Sequence, residues 1–181
     1  MRHIIQEIVD TLEAFIDHEE QSLMLIEAET EEAPLLLKTF GMVEENELSP
    51  DVFLSFGDEF QDTRRFVELV LDRQREQIEQ LNIELEKKEL EPLEQIPEEL
   101  FERNKPSKTR LQELFAHIRK IVDPERQVIW VFYPLEDVTK EDFYFNLFSS
   151  ISEAIISGDL ANTKMIIRDS PSNPLREHFG C

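Results

Sequence analysis

Val128-Ile129-Trp130-Val131-Phe132-Tyr133 is the stretch on which the fold turns: six consecutive β-formers held between Arg126-Gln127 and Pro134. Branched and aromatic side chains suit a pleated surface, and a run without polar alternation has to be covered on both faces. That is the pattern of a central strand in a parallel sheet. Downstream, Thr139-Lys140-Glu141-Asp142 has the form of a helix start with acids in its first turn. Phe143, Leu147, Phe148, Ile151, Ala154 and Ile155 then recur at helical spacing up to Gly158, and a further strand, Lys164-Met165-Ile166-Ile167-Arg168, follows. Upstream, Leu111, Leu114, Phe115, Ile118, Ile121 and Val122 predict a helix that opens near Pro106-Ser107 and closes before Pro124.

The same alternation extends to the start of the chain. Ile4, Ile5, Ile8, Val9, Leu12, Phe15 and Ile16 form one face of an amphipathic helix over residues 1–17. Leu23-Met24-Leu25-Ile26, a short apolar run bounded by acids, reads as a buried strand, with a helix turn as the alternative. Thr30 is the expected N-cap of the next helix, whose buried face is Leu35-Leu36-Leu37 and Phe40 and whose expected stop is Gly41. After the turn Ser49-Pro50-Asp51, Val52-Phe53-Leu54-Ser55-Phe56 gives another strand. Phe66, Val67, Val70, Leu71, Ile78, Leu81 and Leu85 then mark a helix of about six to eight turns whose charged second half projects beyond the core. Pro92 and Pro97 interrupt residues 84–106, a charged surface connector that is partly helical.

Helices alternating with strands define an α/β fold: a mainly parallel sheet of about four strands sandwiched by helices, with a projecting long helix and a charged connector. The 181 residues form one domain, with residues 171–181 as a tail.

Composition narrows the function. Forty acids against nineteen bases give a net charge of −21, which repels nucleic acid and anionic membranes. The only cysteine is Cys181, so no internal disulfide forms, and the cytoplasm is the expected compartment. No apolar run reaches the ~18 residues of a membrane span. Residues 27–34, Glu-Ala-Glu-Thr-Glu-Glu-Ala-Pro, contain no glycine or lysine with which to cradle a phosphate, and neither GxxxxGK[ST] nor GxGxxG occurs anywhere. His3, His18, His117 and His178 are scattered singly, and Ser149, Ser150 and Ser152 lie within a helix without elbow glycines. No cofactor is expected.

Two acidic constellations remain. Glu27, Asp58, Glu136 and Asp169 stand at or just beyond the carboxyl ends of the four strands, where convergent carboxylates would hold Mg²⁺ for phosphoryl transfer or hydrolysis. Acids also favour helix starts after such strands, which explains them without a metal. Charge is moreover one-sided: residues 1–62 hold seventeen acids against two bases, a balance of −15. An acidic front containing Glu19, Glu20, Glu29, Glu31, Glu32, Glu44, Glu45 and Glu47 would dock a basic protein, or imitate the phosphates of nucleic acid and so inhibit a nucleic-acid-binding protein.

The stretches Asp51–Phe56, Phe60-Gln61-Asp62, Val128–Leu135 and Met165–Asp169 resemble α/β NTPase-like domains of bacterial signalling and conflict proteins. The proline-containing turn after the central strand is similar to their Walker B position. The Walker A glycines and lysine are missing, so the resemblance implies a degenerate, non-hydrolysing version whose work is protein contact or regulation. The expectation is a non-enzymatic interaction module (an adaptor, inhibitor or immunity-type regulator) that uses its acidic surface.

Overall fold

The structure, a computed structural model, describes residues 2–29, 31–44, 51–134, 141–158 and 160–169. Its elements follow the expected order: α1 (Arg2–Asp17), β1 (Leu23–Glu27), α2 (Ala33–Glu44), β2 (Val52–Phe56), α3 (Thr63–Lys87), a 3₁₀ turn (Glu98–Leu100), α4 (Ser107–Ile121), β3 (Val128–Phe132), α5 (Glu141–Ile156) and β4 (Thr163–Asp169). The four strands form one parallel sheet in the order β1-β4-β3-β2.

That order follows from the covering helices. The chain leaves β1 at one edge, crosses the whole sheet through α2 to β2 at the other edge, and steps back through β3 to β4. α2 lies on one face with α1, whereas α3, α4 and α5 lie on the opposite face. Direction and face reverse together, so all three crossovers share one hand, as twisted parallel strands require.

β3 faces both layers and is buried throughout. Val128, Trp130 and Phe132 enter the core under α3, α4 and α5, while Ile129, Val131 and Tyr133 enter the core under α1 and α2. Trp130 stacks on Phe115 of α4 with centroids 3.9 Å apart, and Phe132 packs on Phe148 of α5 at 4.8 Å. Fully burying one such aromatic side chain contributes about 2–3 kcal/mol, so this layer supplies much of the cohesion between sheet and helices.

Two helix ends depart from expectation. α2 runs through Gly41 to Glu44, because Phe40 and Val43 on either side of the glycine are both buried against the sheet. Thr30, the expected cap, lies outside the described residues. α3 ends at Lys87 with Glu89 in a left-handed conformation (φ 57°), and the Leu90 N–H closes back on the Leu85 carbonyl at 3.0 Å. The connector is pinned rather than loosely draped. Asn82 exchanges two hydrogen bonds with the Leu93 backbone, donating from Nδ2 at 3.1 Å and accepting at Oδ1 at 2.6 Å. Ile96 and Leu100 are buried, Arg110 Nε donates to the Leu100 carbonyl, and Arg75 stands 4.2 Å over the Phe101 ring.

At the amino end of the sheet, Lys164 of β4 is buried and makes no ion pair among the described residues. Its Nζ donates to the carbonyls of Phe15, His18 and Gln21 at 2.8, 2.7 and 2.8 Å, and stands 4.9 Å from the Phe15 ring. It thus closes the C-terminus of α1, where the helix dipole favours a cation. Burial lowers its pKa, with Asp51 and Asp17 pulling the other way. Replacing the ammonium would remove that burial penalty but strand three carbonyls, and the second effect is larger. Lys164→Met is therefore expected to lose about 2–4 kcal/mol of stability in urea unfolding; an unchanged midpoint would show that the three bonds contribute nothing.

Candidate functional site

In open α/β sheets, ligands collect outside the carboxyl ends of the strands, where successive crossovers leave toward opposite faces. Here that crevice lies over β1, β4 and β3, since the chain leaves β1 for one face and β3 for the other. Its floor is a side chain. Arg168, the penultimate residue of β4, is 4% exposed, and its guanidinium donates from Nε to the Ala28 carbonyl at 3.1 Å and from a terminal nitrogen to the Pro134 carbonyl at 2.6 Å. One cation thereby ties the ends of β1 and β3 together across the strand between them.

The walls of the crevice are also closed on themselves. The turn from β1 into α2 takes five residues, and its backbone groups are used locally. Ala28 N–H donates to the Asp169 carbonyl at 3.2 Å, Ala33 N–H to Glu29 at 3.2 Å, and Leu35 and Leu36 N–H to Glu32 at 3.0 and 3.2 Å. The Glu32 carboxylate accepts from Glu29 N–H at 3.2 Å, the reciprocal bond of a capping box. α2 therefore begins on its own carboxylate and carbonyls. This agrees with the absence of glycine from the turn.

Both tyrosines face this region. Tyr133, fully buried, meets Phe40 edge-on at 5.2 Å and has the Arg168 guanidinium 6.0 Å from its ring; its hydroxyl has no hydrogen-bond partner. Burial raises its pKa far above the ordinary 10.0, against the pull of Arg168 and with help from Glu32. The Tyr144 hydroxyl donates to the Arg168 carbonyl at 3.0 Å, and its pKa is raised by burial and then by Asp169.

The sheet order divides the described rim carboxylates. Glu27 and Asp169 are brought together, paired across β1 and β4. Asp58 follows β2 at the opposite edge, three strand spacings or roughly 14 Å away. There it accepts from Arg73 at 2.6 Å. Glu136 lies outside the described residues, among which no three metal-ligating side chains gather.

The acidic front likewise divides. Glu19 and Glu20 sit in the turn before β1, at the amino end of the sheet, whereas Glu29, Glu31 and Glu32 sit at the carboxyl end; all five are exposed. β1 holds the two groups roughly 16 Å apart. Glu44 ends α2, which runs back toward the amino end, and Glu45 and Glu47 lie outside the described residues. His117 is buried with Nε2 3.3 Å from the Glu94 carbonyl, and the Ser150 and Ser152 hydroxyls donate to carbonyls of their own helix.

Sequence reasoning missed Lys164 and Arg168. Their signal is an even spacing, four apart in an otherwise apolar strand, which places both on one face.

Two measurements follow from this packing. Tyr133→Phe removes a buried hydroxyl that has no partner and is expected to stabilise the protein by up to about 1 kcal/mol in urea unfolding; a loss of that size would reveal a bond the geometry does not contain. Because both tyrosine pKa values are raised by folding, their contribution is complete below pH 10 and disappears as pH rises further. With only two tyrosines in the chain, tyrosinate absorbance should appear in step with the loss of helical circular dichroism. Ionisation of either ring in the folded protein near its ordinary pKa would contradict the burial.

Compared with protein-family models, curated proteins and solved structures, the chain matches none of them.

Proposed function

We propose that this chain is a non-enzymatic protein-binding domain that docks a basic partner on its acidic surface, in the manner of an adaptor, inhibitor or immunity-type regulator. One observation carries the reading: the exposed carboxylates of Glu19 and Glu20 at one end of β1, and of Glu29, Glu31 and Glu32 at the other, flank a single sheet edge within a segment of balance −15. Such a concentration of one sign speeds encounter with a basic surface by long-range attraction. The filling of the crevice by Arg168 and the self-capping of α2 support it further, since they occupy the place where a degenerate NTPase-like domain would otherwise hold its phosphates.

A second reading has one observation in its favour. Glu27 and Asp169 stand side by side at the rim, a pair able to contribute oxygen ligands to Mg²⁺ for phosphoryl transfer.

The two readings predict different things. Under the first, immobilised protein retains a basic protein from its host's extract at low salt and releases it at high salt. The triple substitution Glu29→Lys, Glu31→Lys and Glu32→Gln, the last keeping an acceptor for the Glu29 N–H, lowers retention at least about tenfold with little change in the melting temperature. Retention insensitive to both salt and the triple substitution would sink the proposal. Under the second, millimolar Mg²⁺ raises the melting temperature and Asp169→Asn abolishes the rise. The protein-binding reading expects no Mg²⁺ effect.

A further inference from the structure

The sheet has two edges, and at the one formed by β2 only β3 pairs with it among the described strands. In a parallel ladder, alternate residues aim both backbone polar groups at the same neighbour. Val52 N–H donates to the Gln127 carbonyl at 2.9 Å and the Phe56 carbonyl accepts from Tyr133 N–H at 2.8 Å, which fixes the phase. Val52, Leu54 and Phe56 therefore face β3. Phe53 and Ser55 turn their N–H and C=O groups outward, to an edge that no described strand occupies. Edges are ordinarily blunted by lysine, proline or a bulge. β2 reads Val-Phe-Leu-Ser-Phe and keeps unbroken register with β3, so it has none of these.

Beside this edge runs a groove of about 810 Å³ between β2 and α3, lined among others by Val52, Leu54, Glu76, Gln77, Leu81 and Glu84. An apolar pocket of about 300 Å³ shares Val52, Leu54, Gln77 and Leu81 with it and reaches inward to Ile78 and Ile118. Leu81 is 52% exposed, unusual for a leucine on the wall of a hydrophobic cleft. Charge selects the occupant. Arg73 in the groove is neutralised by Asp58, whereas Glu76 and Glu84 have no ion pair among the described residues. A second copy of the chain would bring its own Glu76 and Glu84 against these under two-fold pairing, together with another net charge of −21. A basic strand would be attracted.

Spacing sharpens the match. Glu76 and Glu84 are eight residues apart on a helix, a rise of about 12 Å. Residues four apart on an extended strand share one face and are separated by about 13 Å. We propose that the β2 edge binds an extended segment of a basic protein by strand addition, with lysine or arginine at two positions four residues apart reaching Glu76 and Glu84 and an apolar residue midway between them entering the groove at Leu81. The proposal rests on the protein-binding reading above for the basic character of the partner, and adds a contact at the β2 edge, opposite the β1 edge that Glu19, Glu20, Glu29, Glu31 and Glu32 flank.

The test uses the full chain and a synthetic peptide about seven residues long, with lysine, valine and lysine at its second, fourth and sixth positions and threonine elsewhere. Excess peptide is expected to slow amide hydrogen exchange at Phe53 and Ser55 by at least about tenfold. A glutamate-for-lysine peptide is expected to leave exchange unchanged. Of two analogues N-methylated on alternate residues, one in each phase, one should lose the effect and the other keep it. Glu76→Lys with Glu84→Lys, both at solvent-facing positions, should abolish protection by the lysine peptide. No protection, equal protection by the glutamate peptide, or equal loss from both N-methylated phases would overturn strand addition. A dimer in light scattering whose Phe53 and Ser55 amides are already protected would assign the edge to a second copy instead and likewise overturn it. If the peptide fails while salt-sensitive retention that depends on Glu29, Glu31 and Glu32 persists, the edge proposal falls and the broader protein-binding reading stands.

Discussion

Two cations on one face of β4 hold the sheet at both of its ends. Lys164 gathers three carbonyls where α1 finishes, and Arg168 joins the ends of β1 and β3 where the strands finish. The charges are met largely by backbone oxygens. A carbonyl on a helix terminus or a strand end already lacks a partner and cannot move far, so a buried cation placed against several of them restrains backbone rather than side chains. Between these two anchors, Ile166 lies on the same face in the core under α1 and α2, and Met165 and Ile167 lie in the other. β4 is in this sense the tie-rod of the domain, and β3 beside it is the apolar filler.

The same arrangement decides what the crevice can do. A ligand crevice needs unsatisfied backbone donors and room beside them. In the first turn of α2, Glu32 supplies both a carboxylate and a carbonyl to amides around it, and Arg168 spans the ends of β1 and β3. The helix closes on itself, and the carboxylates exposed at this turn make the rim hostile to phosphate. Other acids near the rim are caps of the helices they open: Glu32 for α2 and Asp62 for α3.

The alternation of elements was legible in the sequence because each depends on local pattern. The six-residue run of β3, the helical spacing of Phe66 to Ile78, and the glycine in left-handed conformation at Gly158 each specify their own structure. Strand order was not legible. Leu23–Ile26 and Val52–Phe56 are both short apolar runs, and nothing in either says that the chain crosses the whole sheet between them. That crossing puts Asp58 on the far edge from Glu27 and hands it to Arg73, fifteen residues further on. Gly41 misled for a related reason: glycine stops a helix only when the chain must turn, and burial of Phe40 and Val43 carries α2 past it. The connector, read from its prolines as a surface strap, is fixed by Asn82 and Arg110, whose partners lie roughly ten residues away and leave no periodic trace.

The two open edges of the sheet are protected differently. β1 is flanked by Glu19 and Glu20 on one side and ends in Glu27 and Glu29 on the other, so an approaching strand meets charge at both ends. β2 has no charged residue in its five, and only Ser55 is exposed. An unguarded apolar edge normally invites self-association, and native chains pay stability to prevent it. At a net charge of −21, every encounter between two copies is opposed over the whole surface before any edge can meet, with an attractive exception for basic partners. Global charge can thus replace the local lysine or proline, and it does so selectively. If the β2 edge takes a basic strand as proposed, the acidity of this chain and the bareness of β2 serve one purpose: repulsion would oppose a second copy at the edge, and attraction would favour the opposite sign.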